Sequence, residues 1–378
     1  MPLFESVSGL WCRFQGELFP ELTDAVGRLS DRHRKLVAVL EFAPPEEHFS
    51  RQPGFVGRPC ADRVALARAF IAKAIWNLAT TRDLIDRIDA DPVLRRLCGW
   101  PGRSAIPSEA TFSRAFAEFA SSELAARMHE ALVTTALETT IVGHISRDST
   151  AIEAREKPAP KPAKAEKPKR KRGRPRKGEV VVKEESRLDA QLRMDLAEMI
   201  ADLPKQCDRG TKRNAKGHTV SWNGYKLHVD SADGGIPIGC LLTSASLHDS
   251  QAAIPLATQT GQRVTYLYEL MDAAYDARQI HEFSKSMGHV AIIDPNPRRD
   301  AALKEALRQD AKAQRAINYR DATAVRYAER TNSERMNARL KDDYGGRHVR
   351  VRGAAKVSCH LMFGILALTV EQLQRLLL

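Results

Sequence analysis

The sequence has little of what marks secreted, membrane-spanning or zinc-binding proteins. Its six cysteines are scattered over 378 residues without a C-x-x-C pair, which is typical of reduced thiols in a cytosol and argues against a zinc knuckle. The longest apolar run, from Leu361 to Val370, is far shorter than the ~18 residues that cross a bilayer. No basic flank followed by an apolar stretch opens the chain, so no secretion signal is predicted. We therefore expect a cytoplasmic protein with no membrane partner.

The sequence also lacks the short motifs of several common enzyme classes. It contains no G-x-S-x-G, no phosphate-binding P-loop, no G-x-G-x-x-G and no H-E-x-x-H. These absences argue against α/β-hydrolases, nucleotide-binding and dinucleotide-binding enzymes, and zinc proteases.

Positive charge is plentiful but unevenly distributed. Lys and Arg number 59 against 47 Asp and Glu, a net charge of +12. The stretch from Arg155 to Gly178 holds 12 Lys or Arg and two Glu, a local net charge of +10, together with five of the 19 prolines. Such a segment cannot bury enough apolar surface to offset its ordering entropy, so we expect a solvated arm. The overall charge favours nucleic acid as the partner and a nucleoid-associated location.

The hydrophobic period divides the chain into a helical part and a mixed part. From Ala61 to Leu137 apolar residues recur every three to four positions, which predicts short helices in a helix-turn-helix-like arrangement. After Thr140 the period changes to two, and strands then alternate with helices up to two long final helices. We predict an N-terminal segment at 1–58, an all-α domain at 59–138, and an α/β domain at 139–378 with a disordered basic insertion at about 155–215.

Three acids occupy positions where distant parts of an α/β domain can converge. Asp148 ends the first predicted strand, Asp272 follows the fourth, and Glu334 lies on a late helix. Three such carboxylates can hold two Mg²⁺ ions for phosphodiester chemistry, with Mn²⁺ as a substitute. Any single Asp at a strand end is more often a turn former or a solvated residue, so the weight rests on the three acids together.

The helix that carries Glu334 has a distinctive polar face. Its members are Tyr327, Arg330, Glu334 and Lys341. At ~100° per residue these four fall within one narrow arc, while Met336 and Leu340 point to the opposite side. A face that holds a metal ion and contacts a DNA backbone needs these residue types, whereas a merely solvated face accepts any polar residue.

This pattern, Y-x2-R-x3-E-x6-K after two aspartates, resembles the DDE transposases of bacterial insertion sequences, in the branch of insertion-sequence type 4 and type 5. The stretches Trp222 to His228, Ser246 to Ser250 and Met271 to Asp276 are similar to further motifs of that family. The helical block from about Pro59 to Leu137 resembles its N-terminal domain. The resemblance covers roughly residues 55–375.

The resemblance implies a ribonuclease H-like catalytic domain in which Asp148, Asp272 and Glu334 are catalytic and hold the metal ions. It also implies that Tyr327, Arg330 and Lys341 contact transposon-end phosphates, and that the protein acts as a homodimer on double-stranded DNA ends and target DNA. Some members carry a large β insertion before the glutamate helix. Here the corresponding stretch, 297–326, is basic and predicted to be helical, which leaves open whether a hairpin intermediate forms.

Two further groups of residues are candidate DNA contacts. Arg172 and Arg174 lie in R-G-R-P, an AT-hook-like core that can enter a narrow minor groove; the alternative is a merely solvated linker. Thr111 and Arg114, on the polar side of a predicted helix, could read DNA as a helix-turn-helix does, and ordinary surface placement fits equally well.

The resulting hypothesis is a Mg²⁺-dependent transposase that cleaves at terminal inverted repeats and transfers the 3′-hydroxyl ends into target DNA. Two alternatives remain open. One is a catalytically inactive relative that only binds DNA; the other is a ribonuclease H-like nuclease that acts on branched or hybrid substrates.

Overall fold

A computed structural model describes residues 29–49, 61–160, 185–213, 217–298 and 300–377 of the chain. Within these ranges six helices precede the first strand: α1 (Asp31–Phe42), α2 (Arg63–Ile75), α3 (Thr81–Ala90), α4 (Pro92–Cys98), α5 (Glu109–Ser121) and α6 (Leu124–Leu137). Local chemistry defines their ends. The Thr80 hydroxyl and the Asp83 carboxylate accept each other's backbone N–H groups at the start of α3, and α4 ends at Gly99, whose φ of 109° disfavours any residue with a Cβ.

A six-stranded mixed sheet forms the second part. Its strands are β1 (Ile141–Glu153), β2 (Asp208–Arg213), β3 (Thr219–Ala232), β4 (Ile236–Ser244), β5 (Thr265–Met271) and β6 (Val290–Ile293). Their order is β2-β3-β1-β5-β6, with β4 paired to the second half of β3. The pairs β1–β5 and β5–β6 are parallel, and the others are antiparallel. This confirms the predicted fold class, a mixed sheet preceded by an all-helical region and consistent with a ribonuclease H-like fold.

Eight helices accompany the sheet in the described part of the chain: α7 (Arg187–Gln191), α8 (Leu196–Asp202), α9 (Ala253–Gly261), α10 (Arg278–Ser286), α11 (Ala301–Ala316), α12 (Ala322–Ala328), α13 (Thr331–Asp343) and α14 (Ala354–Leu377). The predicted β3–β4 hairpin is present, and it turns through Gly234 and Gly235, both at positive φ. Helix α13 packs on β1 and β3, whereas α9 packs on β3 and β4 and its carboxyl-terminal Thr260 reaches Asp230 of β3.

Helix α14 joins the two parts into one core. It contacts α1, α2, α5 and α6 on one side and β4 on the other, and Leu366 and Leu368 are fully buried. Its segment Ala354–Leu376 has the length to cross a membrane, and the most apolar window within it has a mean hydropathy of 1.4, although its run of consecutive apolar residues is short. The most apolar window of the helix is 72% buried inside the fold, as expected of a core helix.

The predicted boundaries differ from the structure at two places. Helix α1 lies before the expected start of the helical domain at residue 59, and it packs on α2 and α14 through buried residues such as Leu36. The elements α7, α8 and β2 lie within the range 155–215 that we expected to be disordered. Residues 185–213 carry apolar side chains, Met199 and Leu203 among them, that are buried beside α9, whereas the composition argument applied only to the basic stretch before them.

Candidate active site

Two of the predicted acids lie at the same level on neighbouring strands. The parallel register pairs Ser146 of β1 with Leu270 of β5, and two residues further along each chain lie Asp148 and Asp272. The β5–β6 register pairs Met271 with Ile293, which places Asp294 level with Asp272 in the same way. Strands lie ~4.8 Å apart and alternate side chains share a face, so the three aspartates form a row at one edge of the sheet.

Helices α12 and α13 cover this row of aspartates with polar side chains. Asn337 of α13 donates an Nδ2–H to Asp148 Oδ2 at 3.1 Å, and the Tyr327 hydroxyl of α12 donates to Asp294 Oδ2 at 2.6 Å. Each outer member of the row therefore has a helical donor. Asp272 instead accepts the backbone N–H of Ala274 at 2.9 Å, as the cap of a short 3₁₀ helix.

Burial disfavours negative charge on the two predicted catalytic aspartates. It raises the pKa of Asp148 to about 6, and the nearby charge of Asp272 acts in the same direction, against hydrogen bonds from Ser149 and Asn337 and the charge of Arg330. Burial likewise raises the pKa of Asp272, with Asp249 and Asp294 adding to the effect. The protein thus holds two desolvated carboxyl groups side by side, with too little positive charge around them.

The charge of Arg330 acts on both of these acids and lowers their pKa values. Although burial opposes its charge, its pKa is raised by Tyr327, by Asp148 and Asp272, and by Glu334. Its guanidinium pairs with a Glu334 carboxylate oxygen at 2.8 Å. Among the described residues, no group of three or more His, Cys, Asp or Glu is arranged to hold a metal ion. Glu334, the third predicted acid, is therefore linked to Asp148 and Asp272 by the charge of Arg330, and the three carboxylates do not form one metal-binding group.

The predicted single helix from Arg326 to Asp343 is instead two helices. Helix α12 ends at Ala328 and α13 begins at Thr331, with Arg330 as its N-cap. The cause is local, because the Thr331 and Ser333 hydroxyls donate to the carbonyl oxygens of Ala328 and Arg330, which competes with the helical hydrogen bonds. Tyr327 nevertheless faces the row of aspartates together with Arg330, and Met336 and Leu340 are buried on the opposite side as predicted.

Lys341 lies seven residues after Glu334 on α13, close to other basic side chains. Burial lowers the pKa of Lys341, and the charges of Lys212 and Arg347 lower it further, against Glu153. Lys212 belongs to β2, the strand that lies within the predicted insertion. Three cations from separate elements thus meet beside the end of β1, which suits an anionic ligand.

Three residues of the site were not identified from the sequence. Asn337 and Asp294 had no distinguishing signal, except that Asp294 follows a predicted strand as Asp272 does. Asp249 follows His248, which caps a short 3₁₀ helix, and it pairs with Lys226 at 2.9 Å. A search for acids immediately after strands would have found Asp294.

A buried ion network lies directly behind the two aspartates. Arg147, next to Asp148, donates from Nε and Nη2 to Asp230 at 2.8 Å each and from Nη2 to Glu269 at 3.1 Å; all three are at most 1% exposed. Its Nη1 also contacts Met271 Sδ at 3.3 Å, and Met271 precedes Asp272. The network thus ties β1, β3 and β5 together at the residues that set the positions of both aspartates.

Replacing Asp148 by Asn is expected to stabilise the metal-free protein at neutral pH. The pKa of Asp148 is about 6 in the folded protein against an ordinary 3.8, so the folded state binds its proton more tightly than the unfolded state does. The stability of the folded protein therefore decreases as the pH rises through that interval. We therefore expect a gain of about 1–3 kcal/mol at pH 7, or a melting temperature higher by a few degrees, shrinking as the pH falls toward 4. Thermal melts across pH in EDTA would measure it; a gain that is constant with pH would contradict this explanation.

The remaining predicted DNA contacts are placed as follows. Thr111 is half-buried and Arg114 exposed on α5, where an Arg114 Nη2 lies 3.5 Å from the Thr111 hydroxyl. Ser108 precedes α5 in an extended conformation, but its hydroxyl contacts Thr111 instead of capping the helix. Arg172 and Arg174 fall outside the described residues. Their roles stay predictions.

Two protein-family models match the chain, one over the helical part and one over the part that contains the sheet. A family model described as "Transposase DDE domain" matches residues 143–370, which is more than half of the chain and extends from the third residue of β1 into α14. A second model, described as "Transposase domain (DUF772)", matches residues 21–118 and so includes α1 to α4 and the first part of α5. No curated protein and no solved structure matches the chain.

Proposed function

The chain belongs to the DDE transposases of insertion sequences, and from this premise we propose that Asp148, Asp272 and Glu334 hold two Mg²⁺ ions, or Mn²⁺ in their place. The protein is a DNA-binding enzyme of transposition. The proposed reaction is cleavage of the phosphodiester at terminal inverted repeats, followed by transfer of the freed 3′-hydroxyl into target DNA. The observation that carries the proposal is the alignment of Asp148 and Asp272 under the helix that bears Glu334.

The donor set fits hard divalent cations. Mg²⁺ prefers a few carboxylates plus water and substrate phosphate to a closed protein cage. Asp148 and Asp272 are adjacent and desolvated, so a cation between them would relieve their raised pKa values. Glu334 would join them once its carboxylate leaves Arg330. When bound, such ions polarise the scissile phosphate and lower the pKa of an attacking water.

The cationic side chains of this segment are placed to hold the DNA. Arg330, released from Glu334, would pair with a phosphate beside the aspartates, because a guanidinium binds phosphate oxygens in a bidentate manner. Lys341 and its basic neighbours would hold the backbone further along. Tyr327, whose ring lies 5.8 Å from the Arg330 guanidinium carbon, would restrict the orientation of that arginine. We further propose membership of the type 4 and type 5 branch and action as a homodimer, both on family grounds.

Metal removal provides the first test of this proposal. Full-length protein should nick duplex DNA that carries the element's inverted repeat in Mg²⁺ or Mn²⁺, and should lose this activity in EDTA while still shifting the duplex in gel electrophoresis. Binding without nicking in either metal would instead favour an inactive DNA-binding relative. Cleavage of RNA–DNA hybrids or branched DNA in preference to inverted-repeat ends would favour the nuclease alternative.

A further inference from the structure

A cavity of about 300 Å³ between the helical part and the sheet is lined by cations. Five lysine and arginine side chains reach it: Lys73, Arg155, Arg350, Arg352 and Lys356. They come from α2, from the chain just after β1, and from the loop and first turn before and within α14. Among the described residues that line the cavity there is no Asp or Glu.

Four of these cations have no partner within the described part of the chain. The side chains of Arg155, Arg350, Arg352 and Lys356 are exposed and make no hydrogen bond or ion pair there. The nearby Arg347, by contrast, is paired with Asp342. Four like charges around one cavity repel one another, so the arrangement destabilises the free protein unless an anion enters.

The fifth cation lies at the base of the cavity. Lys73 is only 8% exposed, and its ammonium has a single weak acceptor, the carbonyl oxygen of Ala79 at 3.4 Å. Burial lowers its pKa to about 8, with Asp83 acting in the opposite direction. Glu156, which follows Arg155 in the chain, does not neutralise this charge. Its carboxylate already accepts the Gly353 N–H and the Tyr225 hydroxyl hydrogen.

We propose that this cavity binds a backbone phosphate of duplex DNA, with Lys73 at its base and Arg155, Arg350, Arg352 and Lys356 around its mouth. The inference rests on the proposed function and specifies where the DNA lies beyond the cleavage site. A duplex is the expected ligand because four of the five cations are exposed around the mouth of the cavity, where a large ligand can reach them. A site for a small anion would enclose its cations.

The position of the cavity relative to the aspartates supports a continuous duplex. Arg155 follows Asp148 by seven residues of mostly extended chain, which spans about 23 Å at ~3.3 Å per residue. That distance corresponds to roughly seven base pairs of ~3.4 Å each. The basic neighbourhood of Lys341, Lys212 and Arg347 adjoins Glu153 between the two points.

Helix α5 borders the same cavity. Its Ser113 lines the cavity, and the predicted DNA contacts Thr111 and Arg114 lie on the same helix within two residues of it. A duplex seated on the cavity would therefore meet α5 as well. Phe70 and Phe116, which are buried and in ring contact with each other, form an apolar part of the cavity wall.

The experiment measures duplex binding by full-length protein in EDTA as a function of salt. A 30-bp duplex of arbitrary sequence suffices, because phosphate contacts carry no sequence information. The double variant Arg350→Ala/Arg352→Ala should weaken binding roughly tenfold and reduce the slope of log K against log salt by up to about 1.8, or ~0.9 per lost phosphate contact. The control Arg32→Ala/Lys285→Ala removes two exposed, unpaired cations elsewhere and should change the slope little.

A second variant tests the base of the cavity. Lys73→Met keeps the length of a buried side chain, so it should fold, and it should still weaken duplex binding if a phosphate enters. Equal slopes for the cavity and control double variants, or unaltered binding by Lys73→Met, would overturn the proposal. Binding of ATP or inorganic phosphate that the cavity variants abolish, with duplex binding unchanged, would also overturn it and indicate a free-anion site. Cleavage is not measured, so failure here leaves the proposed reaction untouched.

Discussion

Asp148→Asn and Glu334→Gln are each expected to reduce metal-dependent cleavage of end-containing DNA by at least about 1,000-fold. Each change removes a carboxylate oxygen donor while keeping the size of the side chain, and losing ~4 kcal/mol of transition-state stabilisation corresponds to three factors of ten. Binding of the uncleaved duplex should stay within about twofold, because phosphate contacts by the cationic residues remain. Single-turnover cleavage and gel-shift titration of the same preparations would measure both quantities.

The fold supplies a matched control for these variants. Asp343 lies nine residues after Glu334 on α13, which places it on the opposite face of the helix, and its side chain is 56% exposed. Asp343→Asn should therefore cleave normally. Because Asp148→Asn is expected to melt higher than the parent protein in EDTA, its loss of activity could not be ascribed to unfolding. Cleavage retained by either site variant would refute the assignment of that acid.

Arg147→Met is expected to reduce the free energy of unfolding by about 3–5 kcal/mol, the usual cost of removing one partner from a buried ion network. The change leaves Asp230 and Glu269, both at most 1% exposed, without their shared cation. Their remaining donors are the hydroxyls of Thr260, Tyr266 and Ser284, which do not neutralise two charges. Urea denaturation followed by circular dichroism would measure the loss.

Two comparisons separate this effect from a general sensitivity to arginine loss. Arg34→Ala breaks an ion pair between exposed side chains and should cost less than about 1 kcal/mol. Adding Asp230→Asn and Glu269→Gln to Arg147→Met should recover part of the stability, since no buried charge is then left. A loss below about 1 kcal/mol for Arg147→Met alone would show that the network contributes little.

Local periodicity was sufficient to predict most elements of the fold. The helices between residues 61 and 138, the β3–β4 hairpin and the alternation of β5, α10 and β6 follow from spacing and turn residues close together in sequence. The parallel pairing of β1 with β5 does not, because it joins residues 124 apart and depends on the whole sheet. The folded structure of residues 185–213 also depends on partners that are distant in sequence. Gln191 donates to the Gln251 carbonyl oxygen, and Met199 packs in the core beside α9.

The site shows the same division between local and distant information. Asp148, Asp272 and Glu334 could be selected by residue type and position, and the fold brings the first two together. That Arg330 lies among all three acids could not be predicted, because it depends on the break between α12 and α13. That break arises from two hydroxyl groups whose hydrogen-bonding choice a helical-wheel argument ignores. The catalytic and metal-binding roles of these acids stay predictions that the variants above would test.

The place of α14 in the order of synthesis has a consequence for how the chain acquires its structure. This helix follows every other described element, yet it supplies apolar surface to α1, α2, α5 and α6 as well as to β4. On the ribosome, the six N-terminal helices therefore wait for the last helix before their core is complete. A product interrupted before Ala354 would expose that unfinished core and become a substrate for chaperones and proteases, so only chains that include α14 would reach DNA.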